Sequence, residues 1–232
     1  MNPILSAQGL GVVLGGLRIL EDVSFSVAPS GVTVLLGRNG VGKTTTLRSI
    51  VGLVPGEGSV RFDGGELLGA RTHLIIRKGI GYVPEDRCVF AGLTVAENLR
   101  LAERGPADYD LVFSLFPELK KRAAQRAGTL SGGQQQMLSL GRALLVSNRL
   151  LLIDEPTKGL APKVVTEVAE ALERVAERVP VLLVEQNLAV VRRLATDAVV
   201  LAAGKVAWTG DAKQLLGNTA LTTSLLGVGS HA

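Results

Sequence analysis

Two short stretches of this 232-residue chain combine residue types suited to phosphate chemistry. The first is GRNGVGKTT, Gly37 to Thr45, which fits the pattern G-x-x-x-x-G-K-[ST]. Glycines at 37, 40 and 42 let a backbone wrap closely around phosphate, with its amides aimed inward at the start of a helix. Lys43 would reach the β- and γ-phosphates of a nucleotide, and the Thr44 hydroxyl would ligate Mg²⁺. The predicted binding segment is therefore Gly37, Arg38, Asn39, Gly40, Val41, Gly42, Lys43, Thr44 and Thr45. The second stretch is LLLIDEPTKGL, Leu150 to Leu160, an apolar run ending in two adjacent carboxylates and a proline. Unpaired buried carboxylates are costly, so such a pair usually faces a metal, a cation or a reacting group. An acid at the end of a strand beside the phosphate loop helps hold magnesium, which suits Asp154. Glu155, one residue on, is placed to orient or deprotonate an attacking water.

A third stretch, LSGGQQQ (Leu130 to Gln136), lies about twenty residues before Asp154. Ser131 and Gln134 have capping-box spacing, so a helix is expected to begin here. Met137, Leu138, Leu140, Gly141, Leu144 and Leu145 would form its apolar face. Gly132 and Gly133 would expose the amides of that helix end and make a second anion site. The two phosphate-binding ends need not meet within one molecule, because a head-to-tail pair would let each complete the other's site.

The elements that must position these residues are legible as alternating strand-like and helical patterns. VTVLLG (32–37), GIGYVP (79–84), RLLLID (149–154), VPVLLVE (179–185) and DAVVLAAG (197–204) are continuous apolar runs, as in a parallel sheet covered on both faces. VPVLLVE is expected to lie beside the phosphate-loop strand. Residues 162–179 repeat apolar positions at three and four and read as an amphipathic helix beginning at Pro162. VSFSVAP and GSVRFDGG, punctuated by Gly and Pro, predict antiparallel β structure near the start of the chain. Leu93 to about Ala127 has helical patterning with breaks at Gly105-Pro106 and Pro117. The expected fold is α/β, a P-loop NTPase with a mainly parallel core sheet, an N-terminal antiparallel β subdomain and an inserted helical subdomain at about 86–140. All of it would belong to a single domain, 1–232.

Nearly half the residues are hydrophobic (47%), a fifth are charged (20%), and the net charge is +4, ordinary for a soluble globular protein. One cysteine, Cys88, excludes an internal disulfide. No signal-peptide pattern and no apolar run near the roughly 20 residues of a membrane span are present, so a soluble, cytoplasmic chain is expected.

The phosphate loop, LSGGQ, LLLIDEP and TKGLAP occur in an order and spacing that resemble the nucleotide-binding subunit of an ATP-binding cassette (ABC) transporter, over essentially the whole chain. That resemblance implies an ATPase using ATP and Mg²⁺, working as a dimer that sandwiches two ATPs. Ser131, Gly132, Gly133 and Gln134 would contact the partner's nucleotide, and Thr157 to Pro162 would cross between subunits. It also implies integral membrane permease partners, docked on the helical subdomain and the segment from Val83 to about Leu101, at the inner face of the cell membrane. Leu93, Val95 and Leu99 read equally well as core. The chain departs from the family pattern at three places. Glu85, in VPED, stands where a glutamine is common and enters the predicted metal set with Thr44 and Asp154. Gln186, in VEQN, replaces the usual switch histidine and is predicted to act near the γ-phosphate. Leu14 aligns with the aromatic that stacks on adenine. His73 and His231 lie far from these motifs and read as surface residues.

VPEDR, LTVAENL, GLAP and LLVEQN further resemble the cassettes of bacterial branched-chain amino-acid importers, with urea or short-chain amide importers close behind. The subfamily resemblance favours a heterodimer with a second cassette over a homodimer. A soluble cassette acting on nucleic acid is the competing reading. It is disfavoured by the absence of sustained heptads, by a single cassette in the chain and by the mild charge, so no nucleic-acid partner is expected. A P-loop kinase would not need LSGGQ.

Overall fold

The structure, a computed structural model, describes residues 2–227. The chain opens with a hairpin, β1 (Leu5–Leu14) and β2 (Leu17–Val27). Next, β3 (Val32–Leu36) leads through the phosphate loop into α1 (Lys43–Ile50). After β4 (Glu57–Phe62), β5 (Gly65–Glu66) and α2 (Thr72–Arg77), β6 (Ile80–Val83) enters the main sheet. Four helices follow: α3 (Val95–Arg100), α4 (Tyr109–Leu115), α5 (Pro117–Lys121) and α6 (Gly132–Leu144), with a 3-10 turn at Ala127–Thr129 before the last. The chain then alternates β7 (Leu150–Asp154), α7 (Pro162–Ala176), β8 (Val181–Val184), α8 (Leu188–Leu194) and β9 (Asp197–Ala202). It closes with β10 (Lys205–Asp211), α9 (Ala212–Gly217) and α10 (Thr219–Leu226).

Two sheets result. A four-stranded antiparallel sheet has the order β2-β1-β4-β5, and a six-stranded sheet has the order β10-β9-β3-β8-β7-β6. In the larger sheet every pairing is parallel except β9 with β10. Val34 lies opposite Leu183, Leu183 opposite Ile153, and Ile153 opposite Val83. Because β3, β8, β7 and β6 run the same way, Gly37, Gln186, Glu155 and Glu85 all leave the sheet at one carboxyl edge, where an open α/β sheet collects its ligands.

β3, β7 and β8 are buried along their whole lengths, which accounts for their unbroken apolar sequences. The main core joins these strands to α3, α4, α5, α6 and α7 without a break, so the helices between β6 and β7 share one hydrophobic interior with the sheet. On α6, Met137, Leu138, Leu140, Gly141 and Leu144 are buried, with Leu145 just beyond, as the apolar spacing predicted. Helix α7 starts at Pro162 and buries Val168, Leu172 and Val175, one stripe of its surface. Val95 and Leu99 are core residues, and Leu93 is half-buried. Strand β1 carries no clear period in the sequence because it is irregular: its register with β2 shifts after Ala7, next to Gly9 at φ 61°. Among the described residues no helix is long and apolar enough to cross a membrane.

Candidate active site

The phosphate loop is forced into its path by glycines. Gly37 (φ 146°) and Gly42 (φ 104°) hold backbone angles that side chains avoid. A Cβ at Gly37 would also strike the carbonyl of Leu201, and one at Gly42 the side chain of Leu20. Helix α1 begins at Lys43 with Gly42 as its N-cap and no side-chain cap, so its first amides are left to an incoming anion. Lys43 is 5% exposed, and its Nζ donates to the carbonyls of Gly37 (2.9 Å) and Arg38 (3.1 Å). Burial pulls its pKa down, against the nearby charges of Glu155 and Asp154.

Asp154 is fully buried at the end of β7. Its Oδ1 accepts a hydrogen bond from Thr44 Oγ1 at 3.1 Å, whereas its Oδ2 is buried with no protein partner. Burial pushes the Asp154 pKa up to about 6, and the Glu85 and Glu155 charges add to the rise. A hydroxyl beside a carboxylate oxygen that lacks a donor is a set of hard oxygen ligands suited to a divalent cation.

Glu155, 6% exposed, sits at φ 45°, a strained conformation for a residue with a side chain. Its amide is held by the Val184 carbonyl at 2.8 Å. Gln186 Nε2 donates to its Oε1, Lys158 Nζ lies 3.0 Å from its Oε2, and Lys43 Nζ stands 4.0 Å from its Oε1. Lys158 also reaches Glu85 Oε1 at 2.6 Å. The Glu85 carboxylate is thus engaged by a lysine of the chain.

These groups surround a cleft of about 440 Å³. Asn39, Gly40, Gly42, Lys43, Thr44 and Thr45 line it from the phosphate loop, with Glu85, Glu155 and Lys158 opposite. Val41 is instead packed against the core, and Arg38 and Gln186 line a smaller recess beside Leu226. Leu14 lies outside the cleft, exposed beside the Gly15-Gly16 turn, and the apolar wall is supplied by Ile19. A larger cleft of about 550 Å³ lies between the start of α4 and the ends of α6 and α7, away from these groups. His73 is exposed on α2, and His231 falls outside the described residues.

The LSGGQ stretch is built as the sequence predicts but stands apart from the cleft. Ser131 caps α6, its hydroxyl accepting from the Gln134 amide at 3.3 Å, while Gln134 Oε1 accepts from the Ser131 amide at 3.0 Å. Gly133 is required by packing, since a Cβ there would come within 2.7 Å of Val164. The Arg87 guanidinium sits over Gly132, 3.0 Å from where its Cβ would be.

Sequence reasoning missed Lys158, Arg87 and a buried acid. Glu185, 3% exposed, accepts from Thr157 Oγ1 (2.6 Å) and from the amides of Gln186 (2.7 Å) and Asn187 (2.8 Å), tying the end of β8 to the stretch after β7. The signal was available, because LLVEQN ends an apolar run in an acid just as LLLIDE does.

A parallel sheet with a phosphate loop, a buried acid on the neighbouring strand edge and a separate glycine-rich helix end defines a P-loop nucleoside triphosphatase of the cassette type. Residues 20–158 match the family described as ABC transporter. The chain is 42% identical over 232 residues to the high-affinity branched-chain amino acid transport ATP-binding protein BraG of Pseudomonas aeruginosa, covering 97% of this chain and all of that one. It is 37% identical over 209 residues to the probable branched-chain amino acid transport ATP-binding protein LivF of Archaeoglobus fulgidus, covering 86% and 89%. Among solved structures, an ATP binding subunit of an ABC transporter superposes with a TM-score of 0.81 at 28% identity, over 94% of each chain. A nucleotide-free ATP-binding cassette reaches 0.83 at 23% identity over 99% and 100%, a likeness of fold. The chain belongs to the ABC transporter family and is an ATPase of it.

Proposed function

We propose that this chain energises an importer of branched-chain amino acids, hydrolysing ATP beneath membrane permease subunits. The solute assignment is supported by the whole-length similarity to BraG and LivF. The chemical assignment is carried by one observation, the Asp154 oxygen that is buried without a partner beside Thr44 at the phosphate loop. Thr44 and Asp154 would hold Mg²⁺, which when bound neutralises phosphate charge. Lys43 exchanges its loop carbonyls for phosphate oxygens, and the free amides at the start of α1 hold the same group. Glu155 accepts a proton from, or orients, the attacking water, and Gln186 fixes the Glu155 carboxylate while remaining uncharged at every working pH. Ser131 to Gln134 complete the site of a second subunit, and the favoured pair is a heterodimer with a second cassette. P. aeruginosa has two separate ATP-binding proteins with branched-chain amino acid transport names, BraF and BraG, which supports that pairing. Val95 and Leu99 are buried, so permease contact in the 83–101 segment falls to exposed residues such as Phe90 and Leu101.

Glu155→Gln tests the reading. The variant should bind ATP with near wild-type affinity, lose turnover by about a hundredfold or more, and accumulate as an ATP-bound dimer by light scattering once the second cassette is supplied. Wild-type turnover in this variant would remove Glu155 from the mechanism.

A further inference from the structure

We propose that Lys158 is a positioning residue for hydrolysis: it clamps Glu155 to Glu85 and must release Glu155 before that carboxylate can serve the attacking water. The inference rests on the role given to Glu155 above. One ammonium joins two segments here, because Lys158 Nζ stands 2.6 Å from Glu85 Oε1 in the loop after β6 and 3.0 Å from Glu155 Oε2 just after β7. Lys158 itself belongs to the stretch that leads from β7 into α7. Both carboxylates strengthen its hold on its proton, Glu85 first, so it stays cationic.

Glu155 Oε1 takes the Gln186 amide and faces Lys43, while Oε2 takes Lys158. A general base needs a lone pair that can approach the proton to about 2.6–3.2 Å, and Lys158 takes one lone pair of Oε2 from within the cleft that the water must enter. Lys43 is buried and held by the carbonyls of Gly37 and Arg38, 4.0 Å from Oε1, and the exposed Gln186 is a neutral donor that brings no charge to the carboxylate. Lys158 differs. Its side chain is 55% exposed, and it sits in a turn closed by its own amide on the Glu155 carbonyl (3.2 Å), with Gly159 following at φ 68°. It can swing out at little cost, and it lines the same cleft as the phosphate loop, so phosphate oxygens compete with Glu155 for its charge. A subunit or permease that moves either this turn or the Glu85 loop would therefore set how much of the time Glu155 is free.

The test uses the membrane complex isolated through a tagged chain and placed in lipid nanodiscs. ATPase kcat and KM are measured with and without the transported solute, for wild type, Lys158→Met and Lys158→Arg. Lys158→Met should raise unstimulated kcat by about two- to fivefold, the size expected for a half-exposed ion pair, and should lower the ratio of stimulated to unstimulated turnover. Lys158→Arg, which keeps the charge, should restore the ratio. A fall in kcat for Lys158→Met, or an unchanged ratio, overturns the proposal. The Glu155→Gln, Lys158→Met double variant separates the two layers. Residual turnover there means that Glu155 is not the responsible carboxylate, whereas a dead double variant beside an unaltered Lys158→Met leaves Glu155 in place and removes only the clamp.

Discussion

At the carboxyl edge of the parallel sheet, Lys43 and Asp154 are buried, Thr44 is bonded to Asp154, and the phosphate loop that precedes Lys43 is held by glycines against Leu201 and Leu20. At the start of α6, Ser131 is exposed, and its polar groups are spent on its own cap. Both ends present helix amides to an anion. The first is preorganised by the chain alone, with charge already placed in a water-poor setting. The second is a surface with Arg87 beside it. On the proposed function, half of a nucleotide site is folded into the core, where it costs stability, and half is left on the surface for a partner to complete. Substitutions at the first end should therefore show in the isolated subunit, and those at the second only in a dimer.

Lys43→Ala is the most severe way to sharpen that contrast. Loss of the buried ammonium removes charge-assisted bonds worth about 1.5–3 kcal/mol each, so ATP affinity of the isolated subunit should fall by about tenfold or more. Turnover of any dimer containing it should drop to background at that site. Titration calorimetry on the subunit alone checks the first statement. Unchanged affinity would mean that the preorganised end does not hold the phosphates.

Asp154→Asn probes what that preorganisation costs. The folded-state carboxyl holds its proton up to about pH 6, against an ordinary value of 3.8 in the open chain. Protonation therefore favours the fold: the stabilisation is complete below about pH 4 and is lost as pH rises through about 6. Above that range the subunit carries a buried carboxylate with one unpartnered oxygen. Asp154→Asn should then be more stable than wild type at pH 7.5 in chelator, by about 1–3 kcal/mol, with the gap closing toward pH 4.5. Adding Mg²⁺ and ATP should stabilise wild type more than the variant and narrow or reverse the order. Thermal melts across pH give the answer, and a gap that widens as pH falls would contradict the burial argument.

The same contrast explains what could be read from the sequence. The strands of the main sheet, the start of α6 at Ser131 and the start of α7 at Pro162 were legible because each is set by a local rule: an unbroken apolar run, a capping box or a proline at the first helical position. The phosphate loop was legible because its glycines answer to steric constraints a few residues away. Strand β1 was hidden by Gly9 and Gly11, which break its alternation, and β10 by its position as a half-exposed antiparallel edge. Lys158 on Glu85 and Arg87 over Gly132 were illegible for another reason. Residues 73 positions apart meet in the first contact and 45 in the second, and nothing local to either lysine or arginine marks its partner. Ile19 replaced Leu14 in the cleft wall through the geometry of the hairpin, which a residue count cannot supply.

The smallest expected effect on the subunit belongs to Ser131, and it tests the surface end directly. Ser131→Ala removes the cap hydroxyl and should cost about 1 kcal/mol of stability. Ser131→Asp keeps an oxygen acceptor for the Gln134 amide and adds a charge that a helix N-terminus favours. The melting temperature of Ser131→Asp should therefore match wild type within about a degree or two, the size of a few tenths of a kcal/mol. If the only task of Ser131 were to start α6, ATPase activity should follow stability, with the alanine variant the weaker. If its hydroxyl also faces a partner's phosphate, the order reverses. The aspartate variant, intact as a fold, places a negative charge against phosphate oxygens and should lose more turnover than the alanine. The loss should appear in the partner's site, so a dimer whose own phosphate loop carries Lys43→Ala on the Ser131-mutated chain isolates it. ATP affinity of the isolated Ser131→Asp subunit should stay at the wild-type value, because its own cleft contains none of the residues from Leu130 to Gln136. A drop in that monomer affinity would show that the two ends of one chain are coupled before any partner arrives.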